Sequence, residues 1–522
     1  MDDAVVVGGR KRFGRAGFGG IALGALSGLV AGACALAAGE LVAVFAGAAS
    51  APGVAVGEWA IDLAPTAVKE FAIREFGTHD KSALLTGVYV VLALICAAAG
   101  VLARRHLTAA GFIAAGFGVI GILAAATRPA ANTGSLFPSL CAGAVAVWVL
   151  LWLTRLAAES AAEDAGPTER RRFLGALLGA AAGAAVGGFG AKSWIDSRYN
   201  AAPARAAVKI PVPARPLPPV TAATHPDVPG LGPFFTPNAS FYRVDTALSV
   251  PQIDPSKWML RIRGMVARPL ELTFEQLLKL PLEEHDLTLT CVSNPVGGPY
   301  CGNARWIGTP LAPLLRQAGV RTGADQILAT SSDGMTIGTP VNAVLDGREA
   351  MLAVAMNGQA LPIEHGFPCR MLVPGLYGYV SATKWVVDLE LTTFASSAGY
   401  WVARGWAQQA PVKTASRIDV PGDGASVSQG TVTLAGTAWA THRGVAAVEV
   451  RIDGQWREAA LAASDTPDTW RQWSYKWENA PRGSHRVAVR ATDGTGTVQT
   501  SAVRDVVPDG ASGYHEITVN AV

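Results

Sequence analysis

Five long apolar runs fill the first third of the chain and constrain it more than any other feature. Residues 17–49 form the first, and further runs fall near 82–103, 107–127, 135–155 and 173–190. About 20 apolar residues in a helix cross a hydrocarbon layer roughly 30 Å thick. The pattern therefore predicts a five-helix transmembrane bundle over 1–195. Residues 52–81 carry Glu58, Asp62, Lys69, Glu70, Arg74, Glu75, Asp80 and Lys81, and read as a polar loop with an amphipathic helix. Half the chain is hydrophobic and only 16% is charged, with the bias concentrated before about residue 195. A formal net charge of +3 points away from nucleic acid. At 522 residues, more than one domain is expected.

Basic residues orient the spans. Arg10, Lys11, Arg12 and Arg15 precede the first, Arg104 and Arg105 lie between the second and third, and Arg155 with Arg170, Arg171 and Arg172 lies between the last two. The intervening loops, 52–81 and 128–134, have fewer positive charges against their acidic ones. The positive-inside rule places the N-terminus inside and the chain outside after the fifth span. A cleaved signal peptide fits less well, because the first run exceeds a usual signal core. The run RRRFLGALLGA resembles a twin-arginine export signal, here internal; an ordinary positive flank accounts for it equally.

Residues 196–233 are rich in Ala and Pro, including PARAAVKIPVPARPLPP, and read as an extended tether without helix. A soluble domain follows over 234–405. Thr273 caps a short helix over 273–280, and a second runs over 310–319, ending at Gly319. The alternation Leu287-Thr288-Leu289-Thr290 reads as a strand that delivers Cys291 into a loop holding Pro295, Gly297, Gly298 and Pro299. A thiolate there suits a soft metal or a nucleophile, and a buried structural cysteine is the plain alternative. Cys34, Cys96 and Cys141 sit in apolar runs as packing residues, and Cys301 with Cys369 leaves a disulfide open. From Pro411 onward, short alternating segments such as 431–434 and 447–452 predict an all-β sandwich over 406–522, with Trp456, Trp470, Trp473 and Trp477 as core and edge aromatics.

The stretch TLTCVSNPVGG, with Trp306-Ile307-Gly308 beginning fifteen residues after the cysteine, resembles the metal site of the sulfite oxidase family of molybdopterin enzymes. His365-Gly366-Phe367-Pro368-Cys369-Arg370, then Val373-Pro374-Gly375, then Thr383-Lys384-Trp385, is similar to that family's pterin-phosphate pocket. The resemblance implies a multi-domain protein: the helical bundle, an α+β molybdopterin-binding domain, and an immunoglobulin-like dimerisation domain. It implies Cys291 as ligand to molybdenum on a single pterin, with Cys301 as the second choice. Asn238, Tyr242, Arg243, Ser331, His365, Arg370, Thr383 and Lys384 are the implied cofactor contacts. For Asn238 and Ser331, ordinary turn residues are the competing account. Arg370 grips phosphate bidentately and Lys384 adds a point charge.

The implied activity is two-electron oxo transfer on a small oxo-anion or an S- or N-oxide. The family's sulfite-binding arginines are missing beside Cys291 and beside Phe235, leaving Arg305 or Arg243 to compensate. His79 and His106 are the only histidines before residue 200 and both lie at span ends, so no intrinsic haem is expected. Electrons then pass to a separate cytochrome or quinone-linked carrier. The expected location is the cell membrane, multi-pass, with the catalytic domain extracytoplasmic. An inactive pterin-binding or assembly protein is one competing reading. A transporter is another, disfavoured because Glu40 is among the few charges inside the runs.

Overall fold

The computed structural model describes residues 18–522 apart from 66–67, 69–70, 72–74, 77–79, 129–130 and 163–165. The basic cluster Arg10, Lys11, Arg12 and Arg15, and Lys69, Glu70, Arg74 and His79, lie outside the described residues. The chain forms two compact units, Met1–Tyr199 and Asn200–Val522.

In the first unit the described helices are α1 (Phe18–Ala46), α2 (Pro52–Leu63), α3 (Asp80–Ala103), α4 (Leu107–Ala126), α5 (Phe137–Ser160) and α6 (Pro167–Arg198). Five of them are long and apolar enough to cross a membrane; α2 is not among these. Within 52–81, α2 is a helix that buries Pro52, Gly53, Ala55 and Gly57 and leaves Leu63 exposed. Arg128 reaches it through an ion pair with Glu58. Helix α6 starts earlier than the apolar run, because Pro167 fits a first helical turn, and it carries the exposed arginine triplet on its opening turns. Helices α1 and α3 cross with their backbones in contact. A Cβ on Gly28 would sit 1.9 Å from the Cys96 carbonyl oxygen, and one on Gly100 would sit 2.1 Å from that of Gly24. Small residues at such a crossing let the two backbones approach closely.

The second unit opens with a correction. Residues 202–207 form a helix, α7 (Ala202–Ala207), because its proline lies in the first turn, where no amide is required. The following run is packed rather than free. Arg205 Nε donates to Leu361 O at 2.7 Å, and Ala214 N donates to Leu282 O at 2.7 Å. Val208 and Ile210 pack against the core.

Ten strands then build two sheets. The first sheet, in spatial order, is β2 (Leu270–Thr273), β1 (Met259–Gly264), β10 (Val386–Thr392), β5 (Gln326–Ser331) and β6 (Thr336–Pro340). The second is β3 (Glu283–Thr290), β4 (Cys301–Pro310), β7 (Met351–Met356) and β8 (Gln359–Ala360), with β9 (Arg370–Leu372) also paired to β7. Three short helices connect them: α8 (Phe274–Leu278), α9 (Leu311–Ala318) and α10 (Val341–Leu345). Thr273 and Gln276 close a reciprocal capping box on α8, and Gly319 ends α9 at φ +71°.

The C-terminal part is a two-sheet sandwich. One sheet orders β11 (Ala415–Val420), β13 (Gly430–Trp439), β17 (Arg471–Ala480) and β16 (Ala460–Leu461). The other orders β12 (Ser426–Val427), β19 (His515–Ala521), β18 (Gly483–Asp493), β14 (Val445–Ile452) and β15 (Gln455–Glu458). Trp473 and Trp477 fill its core, whereas Trp439 and Trp470 belong to the core of the preceding domain. Trp470 Nε1 donates to Phe234 O at 3.0 Å.

Candidate functional site

Strand β3 is buried on both faces over its last five residues, so its register against β4 is tightly set. Cys291 follows directly. Its amide donates to Tyr300 O at 2.9 Å, and its carbonyl accepts from Asn294 N at 3.1 Å. The buried Asn294 side chain accepts from Tyr300 N at 2.8 Å, pinning the loop base. Burial raises the Cys291 pKa, opposed by hydrogen bonds from Ser293 and by the charge of Lys384. Cys301 differs. It is 6% exposed within the hydrophobic core, contacts Thr290 Oγ1 at 3.5 Å, and burial pushes its pKa up to about 11. Cys369 is fully buried, and both are free thiols.

Four segments adjoin one another, and Tyr242 and Lys384 among them act electrostatically on Cys291. The 238–247 segment brings Tyr242, Arg243 and Asp245; the turn into β9 brings His365 and Arg370; the turn before β10 brings Thr383 and Lys384; the end of β5 brings Ser331. Lys384 Nζ forms an ion pair with Asp245, which also accepts from Arg243 Nε at 2.9 Å. One carboxylate thus pairs with two cations and also acts on the charge of a third, Arg370. Burial, with repulsion from Arg370 and Arg243, lowers the Lys384 pKa to about 8. Burial lowers Arg370 to about 10. Burial and the charges of Arg370, Lys384 and Arg243 drive His365 down to about 3, so its ring is neutral. The neutral ring has one N–H, and His365 Nε2 faces the Asn238 carbonyl at 3.3 Å. That donor is therefore spent on the protein.

Four buried polar atoms here have no hydrogen-bond partner: Arg370 Nε, Ser331 Oγ, Ser332 Oγ and Thr383 Oγ1. Buried polar atoms are nearly always paired, so four orphans on the segments that carry cations with depressed pKa values fit an anionic ligand. Trp385 adds backbone strain at φ +51°, uncommon for a bulky residue and typical of ligand sites. Ser332 N donates to Trp385 O at 2.9 Å, tying two of these segments together.

Other residues are not available in this way. The Asn238 side chain donates to Met356 O at 3.3 Å and accepts from Asn357 Nδ2 at 2.8 Å, so it braces the segment. Arg305 is bidentate to Asp286, at 2.8 and 2.7 Å, and also donates to Pro218 O at 2.9 Å. Its strand partner in β3 is that same Asp286, so it serves the sheet rather than an anion pocket. Sequence reading missed Ser332 and Asp245, and took Trp385 only as part of the Thr383-Lys384-Trp385 motif. The serine pair before Asp333-Gly334 was the available signal for the first, and only tertiary proximity reveals Asp245.

The geometry brings a partly buried loop thiol, Cys291, and the buried cations Arg370 and Lys384 into one α+β domain. The profile described as "Oxidoreductase molybdopterin binding domain" matches residues 247–401, and that described as "Bacterial Ig domain" matches 415–519. The chain is 30% identical over 326 residues to mitochondrial sulfite oxidase of Mus musculus, covering 52% of this chain and 58% of that protein's length. It is 32% identical over 153 residues to the uncharacterized oxidoreductase YuiH of Bacillus subtilis, covering 29% of this chain and 74% of that one. The solved sulfane dehydrogenase SoxCD of Paracoccus pantotrophus aligns over 56% of this chain and 84% of its own, at TM-score 0.49 and 23% identity. The chain belongs to the sulfite oxidase family of molybdopterin-binding oxidoreductases.

Proposed function

We propose that this protein is a membrane-anchored molybdenum-cofactor oxidoreductase acting on a small sulfur or nitrogen oxo-compound. The carrying observation is the set of four orphaned buried polar atoms on Arg370, Thr383, Ser331 and Ser332, together with the Lys384 charge that acts on the Cys291 thiol. When bound, a molybdenum group on a single pterin supplies two-electron oxo transfer. Arg370, Lys384, Ser331, Ser332 and Thr383 would hold the pterin's phosphate and polar edge, which would relieve the repulsion between the buried cations. Tyr242, desolvated and within electrostatic reach of both Cys291 and Arg370, would wall the cofactor between them. Cys291 supplies the protein sulfur, and Lys384's charge favours its thiolate. Arg243 and Asn238 act by bracing Asp245 and His365.

Arg305 is committed to Asp286 and Arg243 to Asp245, which favours a neutral S- or N-oxide over sulfite. The five apolar helices anchor the chain, with residues 234–522 extracytoplasmic by the charge rule and electrons exchanged with a separate cytochrome or quinone-linked carrier. The sandwich is the expected homodimer surface. The test is purification from cells with intact cofactor synthesis, elemental and pterin analysis, and turnover with methionine sulfoxide and sulfite. Stoichiometric molybdenum, lost with all turnover in Cys291→Ser, is expected. A metal-free wild-type protein would overturn the reading in favour of an inactive scaffold.

A further inference from the structure

His485 lies near the start of β18 in the C-terminal sandwich and is buried there, 7% exposed. Its ring stands edge-on to Trp477 of β17, with centroids 4.8 Å apart at 82°. Both ring nitrogens are engaged: Nδ1 is 2.6 Å from Asp453 Oδ2, and Nε2 is 2.8 Å from Pro481 O. Neither partner donates, because a carbonyl oxygen accepts only and so does an ionised carboxylate. A neutral imidazole has one N–H and serves one of them. Both contacts are hydrogen bonds only when the ring is an imidazolium.

The two acceptors come from different turns. Asp453, at φ +46°, sits in the turn between β14 and β15, and Pro481 in the turn between β17 and β18. The first turn is already tied to β18, since Arg486 N donates to Asp453 Oδ1 at 3.2 Å and Asp453 N donates to Arg486 O at 3.1 Å. The Pro481 turn is joined to it through the ring. Asp453 is the charged side chain that acts on His485, and its hydrogen bond raises the ring's pKa above the ordinary value. The neighbouring charges are engaged elsewhere: Arg486 and Arg451 both pair with Glu516.

We propose that His485 is a pH-sensitive latch whose imidazolium ties the Asp453 and Pro481 turns together, and that loss of one proton releases the Pro481 carbonyl. The proton that stays is the one on Nδ1, where the carboxylate makes the stronger bond. Nε2 then turns a lone pair toward the Pro481 oxygen, and attraction becomes repulsion. Because the folded-state pKa is raised, the latch is fully closed below the ordinary histidine value of about 6.5 and opens as pH rises through the folded value. The device stands independently of the chemistry assigned to Cys291.

The test is hydrogen–deuterium exchange on the full chain in detergent. Wild type and His485→Gln are compared at each pH from 6 to 9, so the intrinsic pH dependence of exchange cancels. Peptides covering residues 479–486 should be about tenfold better protected in wild type at pH 6, the effect of one hydrogen bond. That ratio should fall to one by pH 9. Asp453→Asn keeps an acceptor at Nδ1 and removes the charge, so its protection should be lost at a lower pH than in wild type. If His485→Gln fails to fold, the shift in Asp453→Asn decides alone. Three results would overturn the proposal: a protection ratio that stays constant with pH, wild-type protection in His485→Gln at pH 6, or an unshifted transition in Asp453→Asn.

Discussion

Arg417 Nη1 donates to the Gly298 carbonyl at 2.8 Å, so a side chain of the C-terminal sandwich holds the loop that follows Cys291. The guanidinium is itself oriented by Asp419, which accepts from its Nε at 2.5 Å and from Thr437 Oγ1 at 3.1 Å. His515 closes the other side. Its Nδ1 accepts from Ile418 N at 3.0 Å, and its ring abuts Gly297. Arg417→Ala should lower kcat about tenfold in the holoenzyme with little change in KM, since ångström-scale misplacement of a reacting group is costly. In cofactor-free protein the same variant should speed alkylation of Cys291, read by mass spectrometry.

Gly297 sits at φ +75°, and a Cβ there would lie 2.2 Å from His515 Cδ2. Gly297→Ala combines left-handed strain with a clash against a half-buried ring, so the loop and the sandwich edge must part. The expected loss is about 1–3 kcal/mol of stability, measured as a lowered unfolding midpoint. His515→Ala in the same chain should recover part of it.

The cationic cradle makes a prediction whose sign depends on the cofactor. Without an anion, Arg370 is a buried charge held down by desolvation and set against Lys384. Replacing it with an apolar side chain of similar length removes that penalty. Arg370→Met should therefore raise the unfolding midpoint of the cofactor-free protein by a few degrees. Pterin content after expression with intact cofactor synthesis should fall at least tenfold. A merely structural arginine would lower the midpoint instead.

Much of this site is legible because its residues lie in two compact motifs. Cys291 follows an alternating strand, and His365, Arg370 and Lys384 fall within twenty residues of one another. Their spacing marks one loop each, and both loops lie in the second unit. What stayed hidden depends on partners far along the chain. Arg305 looks like a free cation until the β3–β4 register sets it opposite Asp286. Asp245 gains meaning only from Lys384, 139 residues away. The Ala/Pro run was misjudged because a proline that breaks a helix interior is harmless in its first turn. Apolar length alone reveals the five helices long enough to cross a membrane, but not that α2 packs among them.

Trp470 couples the sandwich to the strand that ends at Cys291. Its amide donates to Thr288 Oγ1 at 2.7 Å, while Thr288 N donates to Asp468 O at 3.0 Å. With Trp439, Trp470 and Val506 inside the preceding domain's core, residues 234–405 lack part of their own interior. A chain ending at residue 405 should not yield a folded oxidoreductase domain. Thr288→Val should leave the Trp470 amide unpaired and cost about 1–3 kcal/mol. Tryptophan fluorescence and far-ultraviolet dichroism should shift together, because the two domains unfold as one.

Asp465 supplies the pH test. Burial, with the nearby Asp286 carboxylate, raises its pKa to about 6, partly offset by Arg305. A folded-state pKa above the unfolded value means the native form holds an extra proton between about pH 4 and 6. The contribution of this group is thus most favourable below pH 4, is lost as pH rises to 6, and stays constant above. Asp465→Asn removes the charge and keeps a hydrogen-bonding side chain of equal size. Its midpoint relative to wild type should climb between pH 4 and 6 and then plateau. Solvent screening at a half-buried site limits the gain to about 1 kcal/mol. A scan of unfolding midpoints from pH 4 to 8 decides it: a difference that shrinks over that window would mean that Arg305, not Asp286, governs the carboxyl.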